Sequence, residues 1–173
     1  MIDKPLSTLF LDRDGVLNKK VDFGYVLKVE DIEICDDARL FLHWAKTQFK
    51  NIIVITNQQC IGKKLISFDE LNVINNHINK LLGTPIDRFY VCPHLIEDHC
   101  SCRKPNTGLF LRAVNAYDIQ FNKSWMIGDS ETDLIPAYNL GIKSVYISDS
   151  FNKHANLIVP SISYLYHNKR LLY

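Results

Sequence analysis

Two aspartates, Asp12 and Asp14, are the residues of this chain best suited to chemistry, and they follow an apolar run at residues 7–11. Residues two apart in an extended chain point to the same side, so the two carboxylates repel each other unless a positive charge lies between them. Asp129, which follows another apolar run, adds a third carboxylate. Three converging carboxylates favour a hard cation that binds oxygen, such as Mg²⁺.

Hydrogen-bond donors and basic side chains accompany these acids. Thr56 and Asn57 follow a second apolar run, and the pair Arg103 and Lys104 follows a stretch rich in cysteine. Donors, a cation and a divalent metal around a carboxylate suit phosphoryl transfer, because the negative charge on the moving group must be neutralised. One aspartate would then attack phosphorus, and the other would exchange protons with the leaving group and with water.

Each of these motifs also has a purely structural explanation. An Asp-x-Asp pair after a strand is commonly a solvated turn, and Thr56 and Asn57 are residue types that are frequent in turns. Asp129 could simply cap the helix that follows it. The catalytic interpretation depends on the joint occurrence of these motifs at three successive predicted strand ends.

The sequence CPHLIEDHCSC at residues 92–102 brings soft metal ligands together. Three thiolates and one imidazole suit a closed, tetrahedral structural Zn²⁺ site. These ligands would be Cys92, His94, Cys100 and Cys102. His99 is a rival for the imidazole, and buried reduced thiols beside a surface histidine are the alternative to a metal site. A redox centre is disfavoured because Cys-x-Cys is not the Cys-x-x-Cys motif. A zinc ion would order this loop and hold the basic pair that follows it.

The elements that must position these residues are short apolar runs that alternate with helical patterns. Strands are predicted at residues 7–11, 51–55, 88–92, 125–127 and 144–147, and helices at residues 40–49, 67–82, 108–117 and 132–140. This alternation predicts an α/β fold with a doubly wound, Rossmann-like parallel sheet, in a single domain over residues 1–173. Ligands of such sheets bind beyond the carboxyl ends of the strands, where the polar clusters described above are expected to meet.

Composition excludes several classes of protein. The chain has 173 residues and a net charge of +1, which argues against broad nucleic-acid or membrane binding. Its apolar runs are shorter than the ~18 residues of a membrane-spanning helix. The N-terminus lacks the layout of a signal peptide, and five cysteines are an odd number for a disulfide framework. We therefore expect a cytoplasmic protein that acts as a monomer.

Four segments together resemble the motifs of the haloacid dehalogenase-type (HAD) phosphatases. They are FLDRDGVLN at residues 10–18, ITNQ at residues 55–58, the lysine of CRKP, and MIGDSETD at residues 126–133. The DRDG variant and the CxH…CxCRKP loop are most similar to the histidinol-phosphatase and D-glycero-D-manno-heptose-1,7-bisphosphate phosphatase branch. The resemblance implies a HAD-like fold with a minimal cap and a zinc-stabilised loop.

The resemblance also implies a role for individual residues. Asp12 would be the nucleophile and Asp14 the acid and base, while Lys104 would neutralise the nucleophile and the phosphate. Mg²⁺ would be bound by Asp12, the backbone carbonyl of Asp14, and Asp129. Zinc would be bound by Cys92, His94, Cys100 and Cys102. Substrate contacts are implied for Arg13, Asp22, Gly24, Tyr25, Thr56, Asn57, Gln58, Arg103 and Ser130.

Some of these assignments have open alternatives. The segment at residues 22–25 could be an ordinary flexible turn, and residues 26–34 are predicted to form a small hairpin flap. Ser130 stands where relatives of this branch usually carry Lys or Arg, and Gln59-Cys60 replace a usual Ser-Gly or Asp-Gly. Both departures concern recognition of the substrate and leave the reaction centre unchanged.

The substrate that we predict is a sugar bisphosphate, D-glycero-D-manno-heptose 1,7-bisphosphate. DFGYV at residues 22–26 resembles the heptose form, whereas the five-residue spacer at residues 95–99 resembles the histidinol-phosphatase form. Histidinol phosphate or another small sugar phosphate is therefore the alternative. A zinc-braced, non-catalytic binding protein is a different class, and the intact acidic and basic residues argue against it. A phosphatase of nucleic-acid 3′ ends would need a basic groove, and the net charge of +1 offers little positive charge for one.

Overall fold

A six-stranded sheet forms the centre of the computed structural model, which describes residues 6–22, 24–83 and 86–173. All neighbouring strands pair in parallel, in the order β3-β2-β1-β4-β5-β6. The strands are β1 (Leu6–Leu11), β2 (Phe49–Asn57), β3 (Arg88–Cys92), β4 (Trp125–Gly128), β5 (Lys143–Ile147) and β6 (Leu157–Val159). The strand order reverses between β1 and β4, and ligands of open α/β sheets bind at such a switch point.

Helices cover both faces of the sheet. They are α1 (Ala38–Gln48), α2 (Phe68–Leu82), α3 (Gly108–Val114), α4 (Glu131–Asn139) and α5 (Ile162–His167). Side chains alternate along each strand, so Leu9 packs with the core under α1, α2 and α5, while Phe10 packs with the core under α3 and α4. The predicted doubly wound α/β fold is therefore confirmed. Within the described residues, no helix combines the length and the apolar character needed to cross a bilayer.

The end of the chain adds two elements that the apolar pattern did not specify. Strand β6 has only three residues and pairs with β5 at the edge of the sheet. Helix α5 packs against α1, where Ser163 Oγ donates a hydrogen bond of 2.6 Å to Asp37 Oδ2. The single-domain organisation over residues 1–173 stays a prediction.

The hairpin predicted at residues 26–34 is wrong. That segment contains a 3₁₀ turn at Val29–Asp31, and the backbone N–H of Leu27 donates to Asp31 Oδ2 at 3.2 Å. The antiparallel contact lies at the base of the loop, where Lys19 N bonds to Glu33 O at 2.7 Å and Cys35 N bonds to Leu17 O at 2.9 Å. The loop between Lys19 and Glu33 is therefore closed at its base, and its described part contains a turn in place of paired strands. Phe23, within the predicted DFGYV segment, lies outside the described residues.

Helix α2 begins at a capping box formed by Ser67 and Glu70. Ser67 Oγ accepts a hydrogen bond of 3.2 Å from the backbone N–H of Glu70, and Glu70 Oε2 accepts one of 2.7 Å from the backbone N–H of Ser67. We predict that Ser67→Ala lowers the free energy of unfolding by about 1 kcal/mol. Urea denaturation measures this loss. Ser150→Ala, at an exposed serine outside any helix, is the control, and equal stability of the two variants would contradict the prediction.

Candidate active site

The polar clusters that follow β1, β2, β3 and β4 meet at the carboxyl edge of the sheet. Asp12 directly follows β1, and its backbone N–H donates to Ile127 O on β4 at 2.9 Å. Asn57 ends β2, while Asp129 directly follows β4. Because parallel strands place their carboxyl ends on one edge, residues far apart in the sequence converge here.

A buried ammonium group lies at the centre of this edge. Lys104 is only 3% exposed, and its Nζ lies 2.9 Å from Asp12 Oδ1 and 2.5 Å from Asp133 Oδ1. The same Nζ donates a hydrogen bond of 2.7 Å to the carbonyl oxygen of Ile55. Burial lowers the pKa of Lys104, but the two carboxylates outweigh burial and raise it above its ordinary value. Lys104 therefore stays positively charged.

Asp133 is a site residue that the sequence assignments missed. It is fully buried, and its second carboxylate oxygen accepts a hydrogen bond of 3.1 Å from the backbone N–H of Ser130, as in a helix capping box. Burial raises the pKa of Asp133 to about 7, and Lys104 opposes this rise. Gly128 makes room for Asp133, since a Cβ at residue 128 would lie 2.3 Å from Asp133 Cβ. The signal was its position four residues after Asp129 in MIGDSETD.

Asp14 has a different environment from Asp12, although only one residue separates them. Its carboxylate accepts two hydrogen bonds of 3.0 Å from Arg13 Nη2, one of 2.8 Å from Asn18 and one of 2.7 Å from Gln58. Burial raises the pKa of Asp14, but the charge of Arg13 and these hydrogen bonds outweigh burial and lower the pKa. Asp14 is therefore a carboxylate in the resting site.

Arg13, an expected substrate contact, is fully buried. Besides Asp14, its guanidinium donates to Asn75 Oδ1 on α2 at 3.2 Å. The structure thus places Arg13 as the partner that orients Asp14.

Gly15 and Asp129 are in close contact. Gly15 has a φ of +89°, and a Cβ at this position would lie 1.8 Å from Asp129 Oδ2. That oxygen pairs with Lys20 Nζ at 2.6 Å, whereas Asp129 Oδ1 is buried and makes no hydrogen bond to any residue that the structure describes. Burial raises the pKa of Asp129, Lys20 lowers it and the charge of Asp12 raises it, with a net rise. Lys20 was not among the sequence-predicted site residues.

These acids fit a divalent metal ion. Carboxylate oxygens of Asp12, Asp129 and Asp133 all lie within 4.8 Å of one another. The orphaned oxygen of Asp129 is a buried acceptor of the kind that Mg²⁺ prefers. The carboxylate of Asp14 is occupied by Arg13, Asn18 and Gln58, so Asp14 could reach the same ion only through its backbone, as the sequence resemblance implies.

The segment Thr56–Asn57–Gln58 is bonded mainly to other parts of the site. Asn57 Nδ2 donates to the backbone carbonyl of Lys104 at 3.0 Å, and Asn57 Oδ1 accepts from the backbone N–H of Lys104 at 3.0 Å. Asn57 therefore positions the lysine. Gln58 donates to Asp14, and it also donates to Thr56 Oγ1 at 2.9 Å. Thr56 is buried, and its hydroxyl oxygen accepts this hydrogen bond from Gln58.

The four predicted zinc ligands lie together in the loop after β3. The sulfur atoms of Cys92, Cys100 and Cys102 lie 3.4 to 3.6 Å apart, and His94 Nδ1 lies 3.2 Å from the Cys102 sulfur. Four ligands around one tetrahedral zinc would place their sulfur atoms roughly 3.8 Å apart. All five cysteines are free thiols. The rival His99 is exposed and outside this cluster, so the residues fit a structural zinc ion.

Two cavities border the site, and Asn57 lines both of them. The larger, about 340 Å³, is lined by Asn57, His99, Arg103 and Lys104, among others. Arg103 Nη1 donates to the carbonyl oxygen of His94 at 3.2 Å. The structure thus brings Arg103 to the edge of the site on the loop that holds the cysteines.

The smaller cavity, about 180 Å³, is lined by Asp14, Lys20, Gly24 and Tyr25, among others. The hydroxyl of Tyr25 accepts hydrogen bonds from Gln59 at 2.7 Å and from Lys63 at 2.9 Å.

Two of the residues expected to contact substrate, Asp22 and Ser130, have other surroundings in the structure. Asp22 is exposed and lines neither of these cavities, and the hydroxyl of Ser130 accepts a hydrogen bond of 3.4 Å from the backbone N–H of Thr132. Ser130 therefore serves as the N-cap of α4.

Comparisons with known proteins support the family resemblance seen in the sequence motifs. A family model described as HAD-hydrolase-like matches residues 101–163. A D-glycero-beta-D-manno-heptose-1,7-bisphosphate 7-phosphatase from Helicobacter pylori is 35% identical over 142 residues, which cover 80% of this chain and 80% of that protein. A D-glycero-alpha-D-manno-heptose-1,7-bisphosphate 7-phosphatase from Mycobacterium tuberculosis is 39% identical over 136 residues, which cover 76% of this chain and 72% of that protein.

A solved structure shares the fold of this chain. D,D-heptose 1,7-bisphosphate phosphatase from B. bronchiseptica, complexed with magnesium and phosphate, has a TM-score of 0.84 at 21% identity, covering 95% of this chain and 98% of that chain. The resemblance read from the four sequence motifs is confirmed by these matches.

The contact between Gly15 and Asp129 generates a prediction about metal binding. A Cβ at residue 15 must displace the Asp129 carboxylate, so we expect Gly15→Ala to weaken Mg²⁺ binding by at least about tenfold. Isothermal titration calorimetry without substrate measures the affinity. Gly141→Ala is the matched control, since Gly141 also has a positive φ of 70° but a Cβ there meets nothing within 4 Å. Equal Mg²⁺ affinity in the two variants would contradict the assignment of Asp129.

Proposed function

The chain belongs to the family of heptose-1,7-bisphosphate 7-phosphatases within the HAD-like hydrolases, and we propose that it hydrolyses D-glycero-D-manno-heptose 1,7-bisphosphate through a phosphorylated Asp12. The observation that carries this proposal is the buried ammonium of Lys104, which lies against Asp12 and Asp133. A fixed cation beside the attacking carboxylate neutralises charge on the phosphoryl group as it is transferred.

The carboxylate of Asp12 is held in one orientation. Its Oδ1 accepts a hydrogen bond of 2.8 Å from the backbone N–H of Arg13 and pairs with Lys104, so the carboxylate cannot rotate freely. We infer that Asp12 forms a new P–O bond while the P–O bond to the sugar oxygen breaks. Water then attacks the same phosphorus, releases inorganic phosphate and restores the carboxylate.

Asp14 handles the protons in this scheme. In its resting carboxylate form it accepts a proton from the attacking water. To donate a proton to the leaving sugar oxygen it must first be protonated, and a bound phosphate group favours this because nearby negative charge raises a carboxyl pKa. The hydrogen bonds from Arg13 thus keep Asp14 ionised before substrate binds, and the bound phosphate group favours its protonation.

The balance of acidic and basic groups in the site favours a metal ion. The clustered carboxyl groups of Asp12, Asp129 and Asp133 outnumber the two ammonium groups beside them, those of Lys104 and Lys20. We propose Mg²⁺, with which the B. bronchiseptica relative was solved, as the cation held by Asp12, Asp129 and the Asp14 carbonyl. When bound, it supplies charge neutralisation for the phosphate oxygens.

The heptose bisphosphate is proposed from the relatives, which carry this substrate in their names. Those names include both the alpha and the beta anomer, so the anomer is left to experiment. Histidinol phosphate is the alternative substrate. A cytoplasmic location and a monomeric state stay predictions from the sequence.

Zinc is proposed for the loop that carries the catalytic lysine. The loop runs from the end of β3 through the cysteine cluster to Arg103 and Lys104. A zinc ion bound by all four ligands would leave no open position for chemistry, so its role would be to order the loop.

The nucleophile is tested by Asp12→Asn. An amide cannot form the acyl phosphate, so we expect kcat for an aryl phosphate to fall by more than about 10³-fold while the circular dichroism spectrum is unchanged. A variant that keeps a tenth or more of the wild-type kcat would refute the phosphorylated Asp12. A tenfold loss of kcat corresponds to an increase of only about 1.4 kcal/mol in the activation free energy.

The substrate is tested by comparing kcat/KM for both anomers of the heptose bisphosphate with kcat/KM for histidinol phosphate and sugar monophosphates. We expect one heptose bisphosphate anomer to be preferred by at least about tenfold. Preference for histidinol phosphate would overturn the substrate proposal and leave the phosphorylated Asp12 standing.

The zinc proposal is tested by Cys100→Ser. We expect the zinc content, measured by mass spectrometry of the metal, to fall from about one ion per chain, and the Tm to fall by at least about 5 °C. Cys35→Ser is the control, because Cys35 is a half-buried free thiol outside the cluster. Zinc-free protein that keeps its full Tm and activity would show that the loop needs no metal.

A further inference from the structure

The two cations nearest the reacting carboxylates, Lys104 and Arg13, are already bonded to groups of the protein. Lys104 is enclosed by Asp12, Asp133 and the carbonyl oxygen of Ile55. Arg13 is equally buried, and its guanidinium bonds to Asp14 and to Asn75 on α2. Turning Lys104 toward a second anionic group on a substrate would leave the fully buried Asp133 unpaired, which is costly, and turning Arg13 would break its ion pair with Asp14.

Lys20 is bound much more loosely. Its side chain is 54% exposed, and among the residues that the structure describes its Nζ pairs with one carboxylate, that of Asp129 at 2.6 Å. It lines the 180 Å³ cavity together with Asp14 and Tyr25. A long, exposed side chain with a single partner can change partners at small energetic cost.

Of the residues that line the 180 Å³ cavity, Arg13 and Lys20 carry the positive charges, and Arg13 is already bonded to Asp14 and Asn75. Ser130, directly after Asp129, is neutral, and its hydroxyl caps α4. Arg103 lines the other cavity and bonds to the carbonyl oxygen of His94. Lys63 is exposed, but its ammonium bonds to the outer hydroxyl of Tyr25, and Lys63 lines neither cavity.

The present partner of Lys20 is an acid that a metal ion would claim. Asp129 is one of the clustered carboxylates, and its other oxygen is the buried one without a hydrogen bond to any described residue. A divalent cation and an ammonium group on one carboxylate repel each other strongly at a few ångströms. Binding of a metal at Asp129 therefore favours release of Lys20 into the adjacent cavity.

We propose that Lys20 exchanges partners, leaving Asp129 when Mg²⁺ binds and then pairing with the second phosphate of a bisphosphate substrate. Lys20 would thus supply the positive charge that Ser130 lacks and would set the preference for a bisphosphate over a monophosphate. For the identity of the substrate this inference rests on the proposed function.

The first test is Mg²⁺ binding without substrate, by titration calorimetry, in wild type and Lys20→Met. Removal of a competing ammonium makes Mg²⁺ bind about threefold more tightly in Lys20→Met. Lys19→Met is the matched control, because Lys19 is an exposed neighbour whose ammonium pairs with Glu33 and forms no ion pair with Asp129. An affinity that is unchanged or weaker in Lys20→Met overturns the exchange of partners.

The second test compares kcat/KM for heptose 1,7-bisphosphate with kcat/KM for heptose 7-phosphate at saturating Mg²⁺. Lys20→Met lowers this ratio about tenfold, through KM of the bisphosphate, while Lys20→Arg and Lys19→Met keep the ratio. A purely structural ion pair would change both substrates equally, and an unchanged ratio overturns the inference. A wild type that is inactive on the heptose bisphosphate would refute the proposed function, and the Mg²⁺ titration would still decide whether Lys20 competes with Mg²⁺ for Asp129.

Discussion

The buried ammonium of Lys104 is the interaction on which the rest of the site depends. It joins Asp12 after β1, the Ile55 carbonyl on β2 and Asp133 on α4, so one cation connects three elements. Removing one member of a buried ion pair typically costs about 3–5 kcal/mol, because the charge left behind is neither solvated nor paired. Two neighbouring features keep Lys104 in place. Asn57 holds its backbone by two hydrogen bonds, and the loop that contains the cysteine cluster places it at the carboxyl edge of the sheet.

The two aspartates of the DRDG motif show how one short segment can supply two kinds of carboxylate. Asp12 faces Lys104 and the acidic cluster, whereas Asp14 is held by Arg13, Asn18 and Gln58. Different surroundings separate the roles of paired carboxylates in hydrolytic enzymes. The separation here comes from the chain itself, since adjacent residues supply both the acid and its guanidinium partner.

The sequence predicted the parallel sheet and the convergence of its polar clusters because apolar runs and strand ends are local signals. It did not specify the partners of individual side chains. Arg13 was expected to contact substrate and is buried on Asp14, and Asp133 was missed because its position depends on the start of α4. Lys20 lies in an irregular loop, and such a loop has no periodic pattern from which the direction of a side chain can be predicted. The hairpin predicted at residues 26–34 was wrong because a local turn around Asp31 satisfies that backbone.

The account predicts that Asp12 carries the phosphoryl group during turnover, and a trapped complex tests this most directly. The measurement is a crystal structure of the protein with Mg²⁺ and beryllium fluoride, a mimic of an acyl phosphate. We expect beryllium bonded to a carboxylate oxygen of Asp12, with Lys104 Nζ within hydrogen-bonding distance of a fluoride. An adduct on another side chain, or its absence in crystals of hydrolytically active protein, would contradict the central claim.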